Sequence, residues 1–437
     1  MPYPAVPELT ELSKQIVLHS QLKHEYGAKK IQPVLNKAER SLKAAIRELK
    51  ALPEDEKLAQ AEPNRLRDIQ ALRPSGPRRL WKSFHKGAYR KRLEGALLGR
   101  MAGCTLGAPV EFWPIKRMQN LAKELKSPFP PRDYWKRVPD PYELRYEASP
   151  REAYSRSGMN GVPVDDDIAY TLLGLLVVED FGPQFTIEDN GKAWLKYLPH
   201  ACTAEKAALE NLRQGVSAKQ AGRKNNPYCE WIGADIRSDP WGYMAPACPE
   251  FAADMAYRDA YLSHRRQGIY GEMYFSAAIS AAFAVDDPVE ALRIGLTEIP
   301  KQCALAKAVR WALRAAPSIK NYRQAREAVD KKFAGMSIVH TINNACLTVW
   351  GITIGGRDFS KVIGETVAMG LDNDCTAATA GSIVGAVVGK KGIPKRWYAN
   401  FDNTVSSYLN DHPSFTINGL LKRFEKQARR VWKEQAS

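Results

Sequence analysis

Two stretches of this 437-residue chain put a residue with little or no side chain at every fourth position: Gly95, Gly99, Gly103 and Gly107, then Ala377, Gly381, Gly385 and Gly389. Residues four apart lie on one face of a helix. Each glycine inside a helix is unfavourable by roughly 1 kcal/mol relative to alanine, and a chain tolerates a row of them where another backbone must come close. The stripes therefore predict tightly packed helices. Elsewhere helical spacing recurs and clear strand alternation is scarce, so the chain reads as all-α.

The first 78 residues read as a helical appendage. Leu35, Ala38, Leu42, Ala45, Ile46 and Leu49 share one helix face, with Lys37, Arg40, Lys43, Arg47 and Lys50 opposite. Leu52-Pro53 stops that helix, Pro63 begins another carrying Leu66, Ile69 and Leu72, and Arg73 to Pro77 reads as a linker. The expected division is a helical appendage over 1–78 and a large helical domain over 79–437. Between Phe112 and Val164 runs an irregular segment rich in proline, arginine and aromatics. It is either a wall of the active site or a surface insertion over an apolar helix face.

With 44% apolar and 26% charged residues, wholesale disorder is excluded. No apolar run is long enough to span a bilayer, and the first thirty residues lack a leader's apolar core. The seven cysteines show no CxxC spacing and fit buried, reduced thiols, so a cytoplasmic location without membrane association is expected. The net charge of +16 is either a surface trait or a sign of a polyanionic partner. Nucleic acid is such a partner, but no nucleic-acid motif accompanies the charge.

Chemistry is concentrated in two acidic clusters. Asp165-Asp166-Asp167 opens the apolar run Ile168 to Val178, and Asp372-Asn373-Asp374 opens the second small-residue stripe. One aspartate suffices to cap a helix. Three adjacent carboxylates before an apolar run repel one another, and a bound divalent cation removes the repulsion. Carboxylate oxygens suit magnesium, manganese or calcium.

These residues carry a family resemblance. Gly95-Ala-Leu-Leu-Gly99, Gly103 through Glu111, Val164 to Asp167, and Gly370 to Gly381 are similar to the motifs of the ADP-ribosylglycohydrolase family, in that family's order. Gly233 to Arg237 and Ser263 to Phe275 resemble its substrate-contacting middle. The resemblance implies an orthogonal multi-helix bundle holding two magnesium or manganese ions. It assigns Asp165, Asp166, Asp167, Asp372, Asp374 and Cys375 to the metals, and Glu111, Asp165 and Asp166 to catalysis. Arg237, His264, Gly268, Tyr270 and Gly271 would line the ADP-ribose groove. Asp235 is a further possible contact, and Trp113, Trp241 and Tyr243 either stack on adenine or belong to the core.

Four positions depart from the family pattern. Val164 and Cys375 stand where threonine ligands are usual, Cys104 replaces an aspartate, and Asp167 replaces the threonine after the aspartate pair. The implied activity is metal-dependent hydrolysis of a ribosyl C1 glycosidic bond, releasing ADP-ribose from a modified acceptor. A smaller ribosyl group is the other product the resemblance allows. A nucleoside or nucleotide glycohydrolase or transferase, and a non-catalytic family member, are the alternatives.

Overall fold

The computed structural model describes residues 3–435. They divide into two compact units, with the boundary between Gln60 and Ala61.

The smaller unit is dominated by two helices, Leu9–Glu25 and Ile31–Ala51, joined through a turn in which Gly27 takes a positive φ of 75°. The second helix stops where Leu52-Pro53 requires, because a residue before proline is pushed out of helical geometry. Neither helix buries a residue, and Leu42, Ile46 and Leu49 of the apolar face are exposed.

The segment 61–78, expected with the appendage, is instead built into the larger unit. Helix Leu66–Leu72 buries Ile69 completely. Arg73 pairs with Glu250 and Glu298, Arg78 also reaches Glu298, and Gly76 rests on Thr297. Arg73 to Pro77 is thus a packed strap and not a linker. Two arginines satisfying the buried Glu298 fix it in place.

At the centre lie the two small-residue helices, Lys86–Gly107 and Asn373–Val388, running antiparallel and touching backbone to backbone. A methyl group at Gly95 would fall on the Gly385 carbonyl oxygen, at Gly99 on that of Gly381, and at Gly103 on that of Ala377. The four-residue spacing in both stripes is the record of this one contact. Around the pair stand helices apolar on every side, Asp166–Phe181, Gln267–Ala282 and Thr341–Gly355, as expected of helices enclosed by others.

Among the described residues the strands form two antiparallel two-stranded ribbons. One pairs Thr404–Leu409 with His412–Thr416 and buries Val405, Ser407 and Leu409 in alternation. Val162 bonds alongside it through Thr404 and Ser406, which anchors the approach to the first acidic cluster. The other pairs Leu144–Arg145 with Ser149–Pro150, inside the irregular segment. That segment also contains a helix, Ile115–Glu124. Among the described residues no helix is long and apolar enough to cross a membrane.

Candidate active site

The stripe contact determines where the acids meet. Helix Lys86–Gly107 runs into a short turn, Ala108–Val110, that presents Glu111. Gly107 sits against the backbone of Asp374. The next residue along, Phe112, has a φ of 59° and donates its N–H to the Leu371 carbonyl at 3.1 Å. Gly370 and Leu371 are left-handed as well, with φ of 71° and 59°. These turns fold the two acid-bearing loops onto each other.

Asp372 stands at the N-cap of helix Asn373–Val388 yet makes no side-chain cap bond, so its carboxyl is free to face the cluster. Asp165 does cap its helix, accepting from the Asp167 N–H at 3.1 Å. Three groups of potential ligand atoms, each within 4.8 Å of one another, result: Glu111, Asp372 and Asp374; Asp167, Asp374 and Cys375; and Cys104, Asp165 and Asp167. The shared members make one continuous, buried acidic pocket.

Two guanidinium groups answer these carboxyls. Arg100, fully buried, pairs with Asp167 at 3.0 Å and Asp239 at 2.6 Å. Arg145 reaches in from the irregular segment. One of its nitrogens donates to Glu111 at 2.7 Å and to the Ala108 carbonyl at 2.9 Å; the other donates to Asp165 at 3.0 Å and Asp374 at 3.2 Å. Next to it, Tyr146 donates to Asp166 at 2.7 Å.

Burial and mutual repulsion raise the acids. Desolvation, followed by the charge of Asp374, pushes Glu111 up to about 8, against the pull of Arg145. Asp166 and Asp167 are pushed to about 8 mainly by burial, with Asp165 adding to each. Asp372 and Asp374 are raised well above the ordinary range for the same reason. Carboxyls that strongly disfavour their own charge are suited to a cation.

Of the residues expected at a metal site, Asp165, Asp167, Asp372, Asp374 and Cys375 come together, with Glu111 beside them. Asp166 does not join these groups: as the first residue of its helix it turns to Tyr146. The expected groove residues lie elsewhere. Arg237 is buried among Glu205, Asp259 and Glu272, and His264 is wholly enclosed with its Nδ1 against Ser263 at 2.8 Å. Tyr270 is buried and donates to the Pro63 carbonyl. A side chain on Gly268 would meet the Cys229 carbonyl, and one on Gly271 would meet Asp235. Asp235 itself accepts from Thr341. Arg237, His264, Gly268, Tyr270 and Gly271 are thus all enclosed and engaged with neighbouring residues in this structure. Trp241 and Tyr243 are core residues bonded to Glu272 and Asp239, and Trp113 is covered by Arg117 at 3.6 Å.

Sequence reasoning missed Arg145, Tyr146 and Tyr154. Their only signal was membership of an arginine- and aromatic-rich irregular segment.

The ADP-ribosylglycohydrolase family profile matches residues 85–433. The chain belongs to the ADP-ribosylglycohydrolase family. The match spans both stripes and both acidic clusters. A solved structure titled "ADP-ribosylglycohydrolase-related protein complex" is similar at a TM-score of 0.52 and 20% identity, covering 80% of this chain and 99% of that one. At that identity the likeness is one of fold. No curated protein sequence matches the chain.

Whether an ADP-ribosylglycohydrolase built like this suits a divalent ion is decided by its donors. Asp167 Oδ2 and Asp372 Oδ1 are buried and have no hydrogen-bond donor. The weakly donating thiol of Cys375 lies beside both carboxyls, and Asp374 stands next to each as well. Orphaned buried carboxylate oxygens are costly, and a hard cation would satisfy them. The residues fit.

Proposed function

We propose that this chain is a divalent-metal-dependent hydrolase that cleaves a ribosyl C1 glycosidic bond and releases ADP-ribose from a modified acceptor. The observation that carries the reading is the buried carboxylate pocket, with Glu111 at one end and two unbonded oxygens, on Asp167 and Asp372, within it. Asp167, Asp372 and Asp374 would hold magnesium or manganese, with Asp165 alongside them and the Cys375 thiol a poor partner for either ion. When bound, such an ion supplies Lewis acidity toward ribose hydroxyls and water.

The remaining work falls to the chain itself. Glu111 is only partly covered and stands at the pocket's edge, where it can orient a water and accept its proton. A cation nearby lowers its raised pKa and favours the base form. Carboxylates beside C1 would complement the positive charge that develops on the ribose ring as the bond breaks. The free state of all seven cysteines agrees with a reducing, cytoplasmic setting.

The test is turnover of ADP-ribosylated acceptors with magnesium or manganese, with free ADP-ribose as a competing product. Glu111→Gln should still bind ADP-ribose while losing about 100- to 10,000-fold in rate, the usual range for a lost general base. A second reading, a family member that binds ribosyl ligands without turnover, is favoured by one observation: Arg145 already engages Glu111. Absence of turnover on every C1-linked substrate, with equal ADP-ribose binding by wild type and Glu111→Gln, would select it.

A further inference from the structure

The pocket has two unlike halves. Glu111, Asp165 and one oxygen of Asp374 are engaged by the Arg145 guanidinium, whereas Asp167 Oδ2 and Asp372 Oδ1 receive no donor. We propose that Arg145 is the resident cation of the first half, so that the pocket takes a single divalent ion, in the second half, in place of two. The proposal rests on the metal-dependent reading above and specifies how many ions that reading involves.

Arg145 is seated in a slot made for a planar cation. Its guanidinium carbon lies 5.4 Å from the Tyr146 ring centre and 5.5 Å from that of Tyr154. Arginine stacks on aromatic faces while its fork meets carboxylates, a combination that a hydrated metal ion or a lysine does not reproduce. The backbone that delivers it is tied at several points. Arg145 pairs with Ser149 across the ribbon, and the Ser149 hydroxyl accepts the Val164 N–H at 3.0 Å, directly ahead of the first cluster. Tyr154 donates to the Val164 carbonyl, and Tyr146 donates to Asp166. Tyr146 and Glu147 both adopt left-handed conformations, with φ of 52° and 55°, to make the turn. Strained residues persist where their surroundings hold them.

Charge supports the same division. Two divalent ions and a guanidinium in one pocket would repel across a few ångströms of protein. With Arg145 in place, the buried cluster oxygens without a donor belong to Asp167 and Asp372, and the neighbouring ligand atoms on Asp374 and Cys375 lie within 4.8 Å of those of Asp167. The carboxylates of Asp167, Asp372 and Asp374 suffice for one ion completed by water. Val164 adds no side-chain oxygen toward a second.

Manganese itself is the probe, counted after equilibrium dialysis of the intact protein and examined by electron paramagnetic resonance. Wild type should hold one ion with the hyperfine-resolved spectrum of isolated manganese. Arg145→Ala and Arg145→Met, the second retaining bulk, should hold two and show the broadened spectrum of a coupled pair. Thermal melting confirms that each variant is folded, and if one is not, the other supplies the comparison. Two ions in the wild type, or one in both wild type and variants, would overturn the role of Arg145 and leave the metal reading standing. No manganese in any of them would instead overturn the metal reading, and this inference with it.

Discussion

The α-carbon of Asp374 lies where a side chain on Gly107 would have to go. A candidate ligand and a packing glycine therefore share one contact, and the site inherits the tolerance of the stripe. Gly107→Ala would set a methyl group against backbone that cannot turn aside. Overpacking of this kind destabilises by about 1–3 kcal/mol. The variant should show a lower denaturation midpoint and weaker manganese binding together, whereas Gly87→Ala, at a helical glycine with open space around it, should not lower the midpoint and should leave manganese binding unchanged.

Metal should stabilise the folded protein, because a ligand of the native state adds stability by mass action. Magnesium or manganese at a hundredfold excess over its dissociation constant should contribute about 2.7 kcal/mol. Asp374→Ala should abolish the gain, since Asp374 belongs to two of the three ligand groups. A melting temperature indifferent to both ions in the wild type would remove the metal from the reading.

Acid strength gives a prediction of opposite sign to the usual one. Between the ordinary glutamate value of 4.5 and about 8, folded protein retains a proton on Glu111 that the unfolded chain has released. The folded state then binds more protons, so stability falls as pH rises through that window. Metal-free wild type should melt at a lower temperature at pH 8 than at pH 6, by a margin that shrinks in Glu111→Gln. Manganese should bind more tightly at the higher pH, because it displaces protons from its ligands. A wild-type melting temperature that climbs over the window, with no difference from Glu111→Gln, would contradict this.

Arg237 should behave as a structural residue. Arg237→Met leaves Glu205, Asp259 and Glu272 without their shared cation in a dry interior. Removing one partner of a buried ion pair typically destabilises by about 3–5 kcal/mol. Denaturant titration should register the loss, and KM of the folded fraction should be unchanged. A stable variant with raised KM would return Arg237 to the substrate groove.

The legible parts of the sequence were those with a local cause. The glycine stripes reflect backbone contact and carry it in their spacing, and each acidic cluster sits at a helix start where three consecutive positions describe it. What the stripes could not state is that they pack against each other, since nothing in either names its partner. The ribbon from Thr404 to Thr416 was readable in the alternation of Val405, Ser407 and Leu409, but its two short strands were lost among helical signals. Arg237 and His264 were placed along the groove by the family resemblance alone, and no local pattern announced that three acids and a serine partner them inside. Arg145 was invisible for the opposite reason. An arginine in an irregular segment looks like any solvated arginine until the chain's return places Glu111, Asp165 and Asp374 around it.

The ribbon that delivers Arg145 is only two residues deep on each side, closed by a turn without glycine. Strand side chains alternate in direction, so a one-residue insertion or deletion in one arm would send Arg145 to the opposite face. A length change in this turn would then alter the charge of the pocket as thoroughly as replacing the arginine, while every acidic motif stayed intact. Sequences aligned on those motifs alone would be sorted together across that divide. An alignment gap between Arg145 and Ser149 is the mark that separates them.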